Sequence, residues 1–217
     1  MITFTTKPWR QKRSAGRPKK FDEDEALDRA MYVFWKKGYE GASLSDLTRA
    51  MGINPPSLYR TFGNKQALFW KVLERFGEGP AAYVMDCLQE PTAFEVVKAR
   101  LYGSVQMMAD PKHPWGCMGT QAAATCGDEG ESVRKGLISV RAETQAAMAE
   151  RFERAKAEGD LPQDCDPKAL ACYIATLVLG ISLQAASGVS RKALLQIVED
   201  SLMAWPILIH NGRRRGG

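Results

Sequence analysis

The sequence predicts an all-α protein with a small N-terminal domain of short helices and a larger helical domain after it. Three observations predict this. Apolar residues recur at i, i+3, i+4 and i+7 along most of the chain. Capping residues, glycines and prolines fall at the ends of those periodic runs. No segment shows the sustained period-two alternation, bounded by hairpin turns, that a sheet requires. The 217 residues are 45% hydrophobic and 25% charged, which is enough to bury a core without disulfides and unlike a disordered or collagenous chain.

The elements follow in order. Asp22 is placed to cap a first helix, with Glu25 three residues on and acids crowding the first turn, where the helix dipole favours them. Leu27, Ala30, Met31 and Phe34 make its apolar face, and Lys36, Lys37 and Gly38 read as its end. Ser43, followed by Asp46, caps a second, short helix that ends at Met51 before Gly52. Asn54 caps a third, with Pro55 at the first position, where its missing N–H costs nothing, and Gly63 stops it. Asn64 caps a fourth, which carries Leu68, Val72, Leu73 and Phe76 and breaks near Gly77, Gly79 and Pro80. Longer helices are expected over Ala93 to Met108, Glu131 to Glu158, Pro167 to Ala186 and Arg191 to Leu208, with an irregular, Pro- and Gly-punctuated stretch from Ala109 to Gly130.

The uncharged run from Ala169 to Ser190 approaches the length of a membrane span. Thr176, Gly180, Ser182, Gln184, Ser187 and Gly188 interrupt it, so a buried helix is expected and no membrane partner. Residues 1–20 contain no apolar segment of the secretory type, and the five cysteines form neither a CxxC pair nor a zinc-ligand spacing. A cytoplasmic protein without a metal or cofactor is the expectation.

The charge is unevenly spread. Of the net +5, seven positive charges belong to Lys7, Arg10, Lys12, Arg13, Arg17, Lys19 and Lys20, which leaves the other 197 residues at −2. A basic arm on an acidic body fits a polyanion partner, because such a segment reaches phosphates that the folded part cannot. The arm runs straight into two short helices joined by Gly52, Ile53 and Asn54, a helix-turn-helix whose second helix can lie in the major groove of DNA. Leu47, Ala50, Ile53, Leu58 and Phe62 would form its small core. The outer face of the second helix offers Pro55, Pro56, Ser57, Tyr59, Arg60 and Thr61, with Arg60 suited to a bidentate guanine contact and Tyr59 to a phosphate. A plain helical hairpin fits the same bare pattern.

The stretch from Gly16 to Phe69, and above all G-I-N-P-P-S-L-Y-R-T-F-G-N-K-Q-A-L from Gly52 to Leu68, closely resembles the DNA-binding domain of TetR-family bacterial transcriptional regulators. The resemblance implies phosphate contacts at Ser43, Tyr59 and Lys65. It implies recognition-helix contacts at Pro55, Pro56, Ser57 and Arg60, and an arm around Arg17, Lys19 and Lys20 reaching an adjacent groove. The implied organisation is a basic arm over 1–20, a helix-turn-helix domain over 21–76 and a helical effector-binding and dimerisation domain over 77–210. A homodimer on a palindromic double-stranded DNA operator is implied, acting as a repressor that a small-molecule effector releases.

For the effector site the candidates are Phe76, Tyr83, Tyr102, Met107, Met108, Trp115, Cys117, Met118 and Gln121, mostly apolar with a few polar tips. For the dimer interface they are Leu177, Ile181, Leu194, Ile197, Val198, Leu202 and Trp205, on two apolar helices that can face either the core or a partner. Two other readings are open. Cys117, between glycines and close to Lys112 and His113, can act as a redox or electrophile sensor. The chain can also bind DNA constitutively, with no effector. A catalytic role is not expected, since neither His113 nor His210 sits beside a nucleophile motif and no G-x-S-x-G, P-loop or HExxH occurs.

Overall fold

The computed structural model describes residues 21–124, 127 and 130–210, so the arm and the final arginine run lie outside the described residues. Among the described residues the chain is helical throughout, with no strand. Helix α1 spans Glu23–Gly41, α2 Leu44–Met51, α3 Pro55–Phe62 and α4 Lys65–Glu78. A short α5, Tyr83–Asp86, runs into a 3-10 turn at Cys87–Gln89. There follow α6 Ala93–Met108, α7 Met118–Ala124, α8 Glu131–Ala157, α9 Pro167–Ala186, α10 Arg191–Met203 and α11 Trp205–Ile209.

Local chemistry sets most boundaries. Asp22 Oδ1 accepts from the backbone N–H groups of Asp24 and Glu25 and starts α1. Gly38 leaves helical geometry at φ 71, as the sequence predicts, but one further turn continues to Gly41 and carries Tyr39 into the core. Ser43 and Asp46 close a reciprocal capping box on α2, and Gly52 ends it in the left-handed region at φ 69. Asn54 and Asn64 each accept an N–H three residues on, from Ser57 at 2.9 Å and Ala67 at 2.7 Å.

Four elements differ from expectation. The stretch Ala109–Gly130 contains α7, a seven-residue helix too short to show periodicity. The 3-10 turn and α5 were likewise below that window. The last helix does not run unbroken to Leu208. Pro206 lacks an N–H and cannot continue α10, so the chain restarts as α11.

Helix α1 packs on α2, α4 and α7, while α9 lies against α6 and α8, and α10 against α6. One hydrophobic core runs through both halves, from Ala26, Phe34 and Trp35 to Ile174, Leu194 and Val198. Although α9 is long and apolar enough to cross a bilayer by length and composition, its buried face here is Leu170, Ala171, Ile174, Val178, Ile181 and Ala185. Arg151, 5% exposed on α8, clamps the turn before α6 by donating to the carbonyls of Leu88, Glu90 and Pro91. Arg151→Met should therefore lower stability by about 3 kcal/mol, because three carbonyls lose a charged donor at once. Chemical denaturation would show a reduced midpoint, and an unchanged midpoint would mean that the clamp contributes nothing.

Candidate nucleic-acid interface and sensor site

The two short helices form the expected helix-turn-helix. Leu47, Leu58 and Phe62 are buried, while Ala50 and Ile53 are half-buried in the angle between them. This core turns the opposite face of α3 outward. Pro55, Pro56, Tyr59 and Arg60 are exposed, Ser57 and Thr61 are half-buried, and Tyr59 keeps 48% of its surface open. Arg60 Nη2 lies 3.3 Å from Ser57 Oγ, one turn back, which steadies the guanidinium along the outer face. Ser43 is exposed at the N-terminus of α2. The Phe21 ring stands 6.4 Å from that of Phe62, so the basic arm joins the folded chain beside the end of α3.

Several acids of this domain are paired within the fold. Arg75 on α4 forks onto Asp28 and reaches Asp24 at 3.1 Å, and these carboxylates raise its pKa. Asp46 accepts Lys37 Nζ at 2.8 Å as well as the Ser43 hydroxyl, and these partners lower its pKa to about 2. Lys65 is half-buried at the start of α4. Its Nζ donates to the Glu40 carbonyl at 3.3 Å and rests 4.7 Å above the Tyr39 ring. Lys65 therefore braces α1 against α4 as well as carrying charge beside the α4 N-terminus.

Helix α1 also reaches the C-terminal half. Trp35, 1% exposed, donates its indole N–H to the Gly116 carbonyl at 2.9 Å. It stacks on His113 and meets Phe76 edge-on. Gly116 has φ 85, and a Cβ there would come within 3.0 Å of the Ser182 carbonyl on α9. Next in the chain, Cys117 donates its N–H to Ser182 Oγ at 2.9 Å, and Gln121 Nε2 bonds the Trp115 carbonyl. A second tie runs from Glu40 at the end of α1, whose Oε1 accepts the N–H groups of Gly127 and Gly130 ahead of α8. An open cleft of about 440 Å³ lies at this junction, between Asp28, Tyr32, Trp35, Arg75 and His113.

The predicted effector residues separate into two groups. Phe76, Met108, Trp115, Cys117, Met118 and Gln121 belong to or border the joint, and Phe76, Met108 and Met118 are buried in it. Tyr83, Tyr102 and Met107 belong to the α5–α6 layer, where the Tyr83 hydroxyl donates to Ser104 Oγ at 3.3 Å. Burial raises the Tyr83 pKa, so that hydroxyl stays protonated. Sequence reasoning missed Arg100, whose guanidinium sits 5.4 Å from the Tyr83 ring centre. The signal was present: a charged residue interrupts the apolar face Val97, Leu101, Val105, Met108.

Three of the predicted dimer residues point inward. Ile181, Leu194 and Val198 are buried within the protomer, because that side of α9 and α10 covers α6. Leu177, Leu202 and Trp205 are half-buried, with Trp205 packed on Phe94. Ile197 is exposed, and the open side of α9 instead presents Tyr173, Thr176, Gly180 and Leu183.

Comparison with known proteins agrees with this geometry. Residues 26–72 match the family of bacterial regulatory proteins, tetR family, and residues 94–204 match the tetracyclin repressor-like C-terminal domain. The chain is 34% identical over 200 residues to the HTH-type transcriptional repressor ComR of Escherichia coli K12, covering 91% of this chain and 95% of that protein. It is 33% identical over 161 residues to the regulator YezE of Bacillus subtilis, covering 73% of this chain and 83% of that one. A cysteine-mutant form of the TetR family transcriptional regulator CifR, solved with 26-base-pair operator DNA, superposes with a TM-score of 0.83 at 44% identity, covering 88% and 100% of the two chains. The fold and site thus define a helix-turn-helix regulator of transcription. The chain belongs to the TetR family, whose members bind operator DNA as dimers and respond to small molecules.

The Asp46 bond network gives a pH signature. Its carboxylate is held below its ordinary value, so the contribution to the α1–α2 junction is complete above about pH 4 and is lost as pH falls through about 2. NMR titration should place the Asp46 midpoint near 2. In Lys37→Met the midpoint should climb toward the ordinary carboxylate range, and an unmoved midpoint would show that Lys37 is not the main cause.

Proposed function

We propose that this chain is a repressor that holds a palindromic operator as a C2 dimer and releases it when a small molecule occupies the C-terminal domain. The observation that carries the reading is the buried bond from Trp35 to Gly116. It joins the helix underlying the helix-turn-helix to the loop that also bonds α9. A change in packing around that loop therefore reaches the recognition helix through α1 without crossing solvent. The effector must bind the DNA-incompetent arrangement more tightly, since only that difference in affinity can release DNA.

On the operator, Arg60 reads guanine, and Pro55, Pro56 and Ser57 pack along the groove. Ser43, Tyr59 and Lys65 hold phosphates, helped by the backbone N–H groups at the starts of α2 and α4. Residues 21–65 carry seven acids against six bases, so the attraction at long range comes from the arm and its Arg17, Lys19 and Lys20. The dimer forms through the open side of α9, along Tyr173, Thr176, Gly180 and Leu183, with Ile197 and the half-buried Leu177 beside it. Two recognition helices then stand roughly 34 Å apart, one DNA turn. The protein works in the cytoplasm as a binder of DNA and effector, with no catalytic step assigned to it. The operator complex of CifR supports the DNA-bound half of this reading.

Two substitutions test it. With an operator selected from random DNA, Arg60→Ala should lose about 1–3 kcal/mol of operator affinity and much less on random duplex, whereas Tyr59→Phe weakens both alike. Fluorescence anisotropy at fixed salt measures the ratio, and equal losses for Arg60→Ala on both DNAs would remove its reading role. A Cβ at Gly180 would meet nothing within 4 Å in the protomer. Gly180→Arg should therefore leave the fold intact while shifting sedimentation from dimer to monomer and cutting operator affinity at least ~10-fold. A variant that stays dimeric would place the interface elsewhere.

A further inference from the structure

Arg100 is 9% exposed on the inner side of α6. Its Nη1 is fully buried and has no hydrogen-bond partner, and no carboxylate among the described residues lies within ion-pairing distance of its guanidinium. An uncompensated buried cation is strongly unfavourable unless something completes it. Arg151, 5% exposed, likewise leaves its Nη1 without a partner, but its Nε and Nη2 donate to three carbonyls and hold a turn. Among the described residues the Arg100 guanidinium donates no hydrogen bond.

The groups around it stay neutral. The Tyr83 ring, 5.4 Å away, offers its face to the cation. That ring packs closely on α6 at residue 103, a glycine, where a Cβ would come within 2.9 Å of Tyr83 Cγ. The Tyr83 hydroxyl is spent on Ser104, and the Ser104 hydroxyl on the Arg100 carbonyl at 2.8 Å. Burial pushes the Cys87 thiol up to about 11, so it supplies no negative charge. Glu95, the acid closest in the chain, pairs with Lys98, and neither exposed Asp86 nor half-buried Glu90 forms an ion pair with Arg100. Met107, one turn beyond Gly103 on the same face, adds apolar surface.

We propose that Arg100 is the anion-recognition group of the effector site, and that the effector is a small organic molecule bearing a carboxylate or phosphate-type oxyanion on an apolar body. The planar donor fork of arginine matches such an oxyanion in two parallel bonds. Tyr83 lies within electrostatic reach of Cys117, next to the Gly116 carbonyl that holds Trp35, so an anion drawn to Arg100 acts beside the joint to the DNA-binding half. The inference rests on the reading that a small molecule acts in the C-terminal domain.

The test uses the full-length protein with Arg100→Met, Arg100→Lys and Arg151→Met. Without ligand, Arg100→Met should raise the melting temperature, on the order of 3 °C, because it removes an unpaired buried charge, while Arg151→Met lowers it. Sodium benzoate, sodium hexanoate and inorganic phosphate are then titrated, each carboxylate against its primary amide. At least one anion should stabilise the wild type at concentrations 10-fold below its neutral counterpart, phosphate being compared with the uncharged trimethyl ester. Arg100→Met should abolish that effect and Arg100→Lys should keep part of it. A lower melting temperature for Arg100→Met, or no Arg100-dependent response to any anion, overturns the proposal. Operator release by a neutral compound, equal in wild type and Arg100→Met, also overturns it and leaves effector-controlled repression standing. Failure to bind any selected operator would instead undo the repressor reading itself.

Discussion

The arrangement depends on Trp35. Its side chain sits almost wholly inside the protein, on a helix whose other face supports the helix-turn-helix, and its single polar atom finds its partner in a different part of the chain. An indole N–H left unpaired in that position would be costly, so the bond to Gly116 fixes how the loop before α7 lies on α1. The loop accepts this only because Gly116 adopts a positive φ and presents no side chain to α9. Glu40 repeats the logic at the other end of α1, where one carboxylate oxygen takes two backbone N–H groups ahead of α8. One helix is thus gripped at two points by the C-terminal half while it carries the recognition helix.

This explains how a nearly neutral domain can be a DNA reader. Several of its acids are engaged within the fold: Asp22 caps α1, Asp24 and Asp28 hold Arg75, Asp46 holds Lys37 and caps α2. What remains on the α3 face is Arg60, Tyr59 and two prolines, rigid and exposed. The sequence's basic run, residues 1–20, precedes Phe21, whose ring stands near Phe62 at the end of that helix. In the proposed reading, specific contacts and long-range attraction come from different segments of one chain.

Much of the architecture was legible because local signals agreed. Ser43, Asn54, Asn64 and Gly52 act within three or four residues of themselves, so caps and turns could be placed without knowing the fold. The apolar face of α1 and the small core of α2 and α3 followed from helical spacing alone. Short elements such as α5 and α7 escaped because one or two turns give too few repeats to reveal a period. Arg100 was visible as a charge on an apolar stripe, but its lack of a partner is a property of everything packed around it.

By itself the sequence determined the all-helical class, the helix-turn-helix, the basic arm and the family, because caps, turn residues and a contiguous motif act over short distances along the chain. Tertiary structure alone decided which side of α9 and α10 is covered. An amphipathic pattern shows that a face must be buried but does not say whether the protomer or a partner buries it. Ile181, Leu194 and Val198 went to the protomer's own core and left Tyr173, Gly180 and Leu183 outside. Tertiary structure also decided the meeting of Trp35 with Gly116, 81 residues apart, since the matching of one donor to one distant carbonyl depends on how whole helices pack.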